Sequence, residues 1–175
     1  MNKQKKLIVE LFPDCNLNCS FCMQSELSNY KSNKKGSISK IERIRQVQDV
    51  IEKNNVATQS VEMWGGELFY DNSLSYTREM ISFIKGLNCE QLKITTNLIW
   101  NLEDNILYKW LLNQCFQFDL CISYDPVGRY SNSKIEQFFK NNVQKVMMNN
   151  QGKQCLYKRK VELETVLTED VLLQR

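Results

Sequence analysis

Histidine is absent from this 175-residue chain, and that absence removes whole classes of mechanism. No Ser-His-Asp or Cys-His nucleophile pair can be assembled, and no His-containing zinc site or histidine proton shuttle. Proline is nearly as scarce: Pro13 and Pro126 each stand just after an apolar run. No apolar stretch approaches the ~20 residues that a spanning helix needs, which argues against a membrane. The start, MNKQKKLIVELFPDC, sets basic residues before an apolar run. That run is short, contains Glu10 and lacks a small-residue cleavage site, so it does not read as a signal peptide. The expectation is a cytoplasmic protein with reduced cysteines, in which ligation is favoured over a disulfide framework. A net charge of +3 is too small to mark a nucleic-acid binder. The basic residues at 3–6, 34–35 and 158–160 read as solvated ends and loops.

Hydrophobic residues at 42% and charged residues at 25% describe an ordinary globular chain of one domain. Short apolar runs alternate with amphipathic stretches, and no repeat interrupts them. Strands are predicted at 7–12, 60–64, 92–96, 118–124 and 160–167. Helices are predicted at 39–54, 74–87, 103–116 and 133–150, with a fifth beginning at 168. Ser39 with Glu42 and Ser133 with Glu136 form capping boxes. Ile41, Ile44, Val47 and Ile51 share one helix face; Met80, Ile81 and Ile84 share another; Ile106, Leu107, Trp110 and Leu111 share a third. Met147 and Met148, spaced with Val143, read as core. Strands separated by helices imply right-handed crossovers and a parallel α/β sheet, either open and doubly wound or part of a (β/α) barrel.

The seven cysteines carry the chemistry. Cys15, Cys19 and Cys22 form a C-x3-C-x2-C run directly after the first strand. Composition alone would produce that spacing in only about one such chain in 100. Three thiolates within eight residues suit three irons of a cubane, leaving the fourth iron open to another ligand. A zinc knuckle would need a distant fourth ligand from Cys89, Cys115, Cys121 or Cys155, and unligated thiols are the other alternative. Those four cysteines lack close spacing and read as small buried hydrophobes.

CNLNCSFC, at residues 15–22, resembles the cluster loop of the radical S-adenosylmethionine enzyme superfamily, including Phe21 before the last cysteine. WGGE, at residues 64–67, resembles that family's Gly-Gly-Glu motif. ITTN, at residues 94–97, and ISYD, at residues 122–125, resemble its third and fourth strand ends. All four stand at the carboxyl end of a predicted strand, where parallel α/β folds place their sites. Gly65 and Gly66 permit a sharp turn and close backbone approach.

The resemblance implies a parallel partial TIM-like (β/α) barrel of about five βα units. It also implies a [4Fe-4S] cluster on Cys15, Cys19 and Cys22, and S-adenosyl-L-methionine chelating the open iron. Reductive cleavage would give a 5′-deoxyadenosyl radical that takes hydrogen from a substrate such as a peptide or nucleoside. Glu67 is then expected to accept from the methionine ammonium beside Gly65 and Gly66. Ser123 and Asp125 are expected near the ribose, Asn97 facing the cofactor or substrate, and the Phe21 backbone near the adenine. Tyr124 and Arg129 are substrate-side candidates, although packing and solvation explain them more simply. Strand-end turn formation is the plain alternative for Thr96, Asn97, Ser123 and Asp125.

A flavodoxin- or ferredoxin-type low-potential donor is the implied partner. Members usually have six strands, whereas residues 1–175 give a single core domain that stops after a fifth. The expectation is therefore a chain short by one βα unit, with an open edge at 160–167 that attracts a partner strand. Leu98 also stands where a glycine is common, and VELETVLT lacks the usual fifth-strand glycine. The alternative reading is a cluster- and cofactor-binding fragment, or a subunit of a split enzyme, without turnover of its own.

Overall fold

The computed structural model describes residues 6–12, 14–17, 19, 22, 38–54, 60–114, 117–124, 133–151 and 161–165. Phe21, Cys115, Asp125, Arg129, Cys155 and the predicted fifth helix lie outside them. Five strands form one sheet: β1 (Lys6–Glu10), β2 (Ser60–Trp64), β3 (Gln91–Thr96), β4 (Gln117–Tyr124) and β5 (Val161–Thr165). Every neighbouring pair is parallel, in the order β1-β2-β3-β4-β5. The order never reverses, so this is not a doubly wound sheet with a switch point between halves. It is an open α/β sheet with both edges unpaired among the described residues.

Among the described residues four helices link the strands: α1 (Lys40–Lys53), α2 (Leu74–Leu87), α3 (Ile106–Leu111) and α4 (Ser133–Gln151). Ser39 caps α1, its hydroxyl accepting the Glu42 amide at 3.1 Å, as the capping box predicts. Successive helices pack against one another, α1 on α2 and α2 on α3. The core lies between them and one sheet face. Val9, Val61, Met63, Leu92, Ile94, Phe118, Leu120 and Ile122 meet Ile44, Met80, Phe83, Ile84, Leu107 and Leu111 there. Each such side chain stabilises the fold by roughly 1.5–3 kcal/mol through burial.

The alternate strand residues face the other way, as a period of two requires; most are polar, although Ile8, Trp64 and Cys121 stand among them. Glu62 pairs with Lys6 and lies 3.9 Å from Lys93, which also meets Glu162 at 2.8 Å. Gln91 and Gln117 both donate to Asp119, at 2.7 and 2.9 Å.

Three expectations about elements are corrected. The third helix begins at Ile106, not at residue 103, and ends at Leu111. Asn101 draws the Glu103 amide into a turn, while Asn105 accepts from Tyr108 at 2.8 Å and so caps the helix three residues late. Ile106 is consequently exposed. Met147 and Met148 are exposed as well, because Phe139, Asn142 and Val146 take the inward positions of α4. Met148 instead lines a groove with Leu102, Tyr108 and Leu112. Strand β1 ends at Glu10; Leu11 and Phe12 stay buried beyond it, but the Phe12 carbonyl pairs with the loop after β2.

Candidate metal centre

The chain leaving β1 is docked at once against the Gly65-Gly66 turn after β2. The Gly66 amide donates to Phe12 O at 2.7 Å, and the Glu67 amide donates to Asp14 O at 2.9 Å. Gly65 has φ of 136°, a conformation that favours glycine. A Cβ at Gly65 would lie 2.7 Å from Phe12 O, and one at Gly66 only 1.7 Å from Asp14 O. The close approach these glycines permit is to the stem of the cysteine loop. Lys40, at the start of α1, braces that stem. It lies 3.9 Å from Asp14 and 3.7 Å from Asp71, with the Phe12, Tyr70 and Tyr76 rings within 6 Å of its ammonium.

Glu67 is 1% exposed, and its carboxylate faces the end of β3. The Thr96 hydroxyl lies 2.8 and 2.9 Å from the two oxygens. The Asn97 amide donates to one at 2.7 Å, and the Phe69 amide to the other at 3.2 Å. Thr96 also accepts from Trp100 Nε1 at 2.9 Å and from the Leu98 amide at 3.1 Å. A buried carboxylate needs such donors to offset lost hydration.

The end of β3 reaches the cysteine loop through a closed ring of hydrogen bonds. Ile99 N–H donates to Asn97 Oδ1 at 2.7 Å, Asn97 Nδ2 to Asn16 Oδ1 at 2.8 Å, and Asn16 Nδ2 to the Ile99 carbonyl. Because an N–H only donates and a carbonyl only accepts, the ring fixes both amide orientations. Asn97 Nδ2 also donates to Cys15 Sγ, 3.4 Å away. Leu17 N–H also donates to that sulfur, at 3.5 Å. From the far side, Asn142 on α4 donates to the Leu98 and Trp100 carbonyls, each at 2.9 Å.

Cys15, Cys19 and Cys22 are all free thiols, and the Cys22 amide donates to Cys19 O at 3.1 Å. Cys15 is exposed as a residue, yet its sulfur is crowded enough that desolvation pushes the thiol above the usual cysteine range. The charges of Glu67 and Cys19 push the same way, while the Leu17 and Asn97 donors pull it down. Negative charge on this sulfur needs both hydrogen-bond donors and a cation. Among the described residues no three His, Cys, Asp or Glu side chains converge as a single-ion site would require. A cubane asks for something else, each thiolate on its own iron. Three thiols on one loop, with donors aimed at the first, fit that group.

Of the predicted site residues, the fold brings Cys15, Gly65, Gly66, Glu67 and Asn97 into one bonded unit. Ser123 lies on β4, one residue before its end. Tyr124 packs on Phe139, with ring centroids 5.6 Å apart. Phe21 and Asp125 fall outside the described residues. Asn16, Trp100 and Asn142 join the site through tertiary contacts that nothing in their spacing marks.

The class defined by this cysteine loop is that of iron–sulfur proteins. The chain belongs to the family described as 4Fe-4S single cluster domain, whose model matches residues 7–137, most of its length. That match takes in the three cysteines, Gly65 to Glu67 and Asn97. Neither a curated protein nor a solved structure matches the chain. Among the described residues no helix is long and apolar enough to cross a membrane.

Proposed function

We propose that this iron–sulfur domain is a radical S-adenosylmethionine enzyme built on the wall of a partial (β/α) barrel. The observation that carries the reading is the bonded unit at the carboxyl ends of β1, β2 and β3. It joins the cysteine loop, the Gly-Gly-Glu turn and the third strand end, the three places where the sequence resembles that superfamily. The sequential strand order supports a barrel wall, since each βα unit then lies beside the previous one.

In this reading Cys15, Cys19 and Cys22 hold three irons and leave the fourth for the amino and carboxylate groups of S-adenosylmethionine. When bound, the cluster supplies the electron that splits the sulfonium into methionine and a 5′-deoxyadenosyl radical, the species that takes hydrogen from substrate. The protein's own residues position and shield. Gly65 and Gly66 clamp the loop stem, Glu67 fixes the end of β3, and Asn97 ties that end to Cys15 and Asn16. Ser123 offers a hydroxyl at the end of β4 for the cofactor ribose. A flavodoxin or ferredoxin supplies the electron, and the substrate is a peptide or nucleoside. A partner chain pairs with the open sheet edge.

A second reading, a cluster-binding module or split-enzyme subunit without turnover, is favoured by Glu67 itself. Its carboxylate, which the resemblance assigns to the cofactor ammonium, is buried and bonded to Thr96, Asn97 and Phe69. One experiment separates the readings. The chain is reconstituted anaerobically, analysed for iron, sulfide and zinc, and incubated with S-adenosylmethionine and dithionite. About four irons and four sulfides per chain and 5′-deoxyadenosine above a Cys19→Ala control are expected. A full cluster without 5′-deoxyadenosine leaves the second reading, and zinc in place of iron overturns both.

A further inference from the structure

We propose that Asn97 is a positioning residue that raises the reduction potential of the cluster through an N–H···S hydrogen bond to Cys15. The inference rests on the assignment of Cys15 as an iron ligand and goes beyond it, because it concerns the sulfur's second partner. Asn97 reaches Cys15 across 82 positions of sequence, from the end of a different strand. Its amide has no freedom to turn away. Oδ1 accepts Ile99 N–H at 2.7 Å, one Nδ2 hydrogen goes to Asn16 at 2.8 Å, and the main-chain amide is held by Glu67 at 2.7 Å. Nδ2 is thereby held 3.4 Å from Cys15 Sγ, to which it also donates. Asn97 is also 6% exposed, so water competes little for that bond.

One-electron reduction of a bound cluster would add negative charge that its thiolate ligands, Cys15 among them, would share. Hydrogen bonds to the sulfurs favour that reduced form and raise the potential. The Asn97 dipole is already oriented, so no reorganisation opposes the change. Asn97 stays a neutral amide throughout; it gives up no proton and forms no bond to iron. Leu17 N–H assists from within the loop, but a main-chain donor survives substitution. Among the described residues, Asn97 is the side-chain donor to this sulfur.

The test compares the full reconstituted chain with Asn97→Ala and Asn97→Asp. Midpoint potentials are read by electron paramagnetic resonance during a mediated dithionite titration, beside iron and sulfide content. The expected order is wild type highest, Asn97→Ala more negative, and Asn97→Asp more negative still. In Asn97→Asp a carboxylate oxygen faces the sulfur where a donor stood. Variants that carry a full cluster at the wild-type midpoint overturn the proposal. A wild-type chain that binds no four-iron cluster overturns the ligand assignment and the proposal with it; metal content reports that failure and the potential reports the other. If both variants fail to fold, wild-type protein labelled with 15N only at asparagine side-chain amides decides. A 15N coupling to the reduced cluster is expected, and its absence overturns the proposal.

Discussion

A methyl group placed on Gly66 would sit 1.7 Å from the Asp14 carbonyl oxygen, a contact with main chain that no side-chain rotation relieves. Gly66→Ala is therefore expected to lift the turn off the loop stem, break the Gly66–Phe12 and Glu67–Asp14 bonds, and cost roughly 2–5 kcal/mol. Urea denaturation of the apo chain measures the cost, and reconstituted iron content falls with it. Gly86→Ala makes the contrast. On helix α2 its Cβ would meet only the flexible Gln48 side chain, at 3.4 Å, so it should stabilise by about 0.5–1 kcal/mol. Leu98 occupies the place where the resemblance expects glycine, and its φ of 59° is glycine's conformation. The strain of about 1–2 kcal/mol is tolerated because the side chain is fully buried. Leu98→Gly loses packing but relieves that strain, whereas Leu98→Ala loses packing and keeps it. The glycine variant should be the less destabilised of the two, an inversion that denaturation midpoints would reveal.

Strand and helix boundaries were largely legible, since apolar runs and the Ser39 cap are local signals. Where they misled, at α3 and at Met147 and Met148, side-chain amides had competed for the backbone or a neighbouring residue had taken the inward position. The polar sheet face was not legible as a network, because its partners sit on different strands. Glu62 shows its consequence. Burial alone would raise its carboxyl, but the hydrogen bonds from Lys6 and Trp64 and the charges of Lys6 and Lys93 outweigh burial and hold it below the usual range. A folded value below the unfolded one means that the native state binds fewer protons. The stabilisation is then present above the ordinary carboxylate range and lost as pH falls through the lowered folded value. Glu62→Gln should cost about 1–3 kcal/mol at neutral pH, with the gap closing below about pH 4. Urea titrations of the apo chain at both pH values provide the check; a gap that persists in acid would refute the assignment.

Across the molecule, β2, β3 and β4 are paired on both sides, while β1 and β5 are edges among the described residues. Local opening should follow that pattern. Amide exchange is expected to be slowest in β3 and β4 and faster in β1, where Ile8 is 56% exposed. Strong protection of β1 would mean that another strand covers it. Much of the candidate site was legible too, because Cys15, Cys19, Cys22, Gly65, Gly66 and Glu67 stand in short contiguous motifs. Asn97 was legible as a strand-end residue expected to face cofactor or substrate, but its bond to Cys15 was not, because the two lie 82 positions apart.

The sequence by itself determined the α/β alternation, the helix and strand faces and the three clustered thiols, since periodicity and spacing act within a few residues. Only the tertiary structure decided that the strands follow one another without reversal and that Glu67 turns inward to hold β3. It also decided that Asn16, Asn97 and Ile99 close a ring beside Cys15. Those outcomes depend on which donors and acceptors meet when segments 29 to 83 residues apart are brought together, and no local pattern records that meeting.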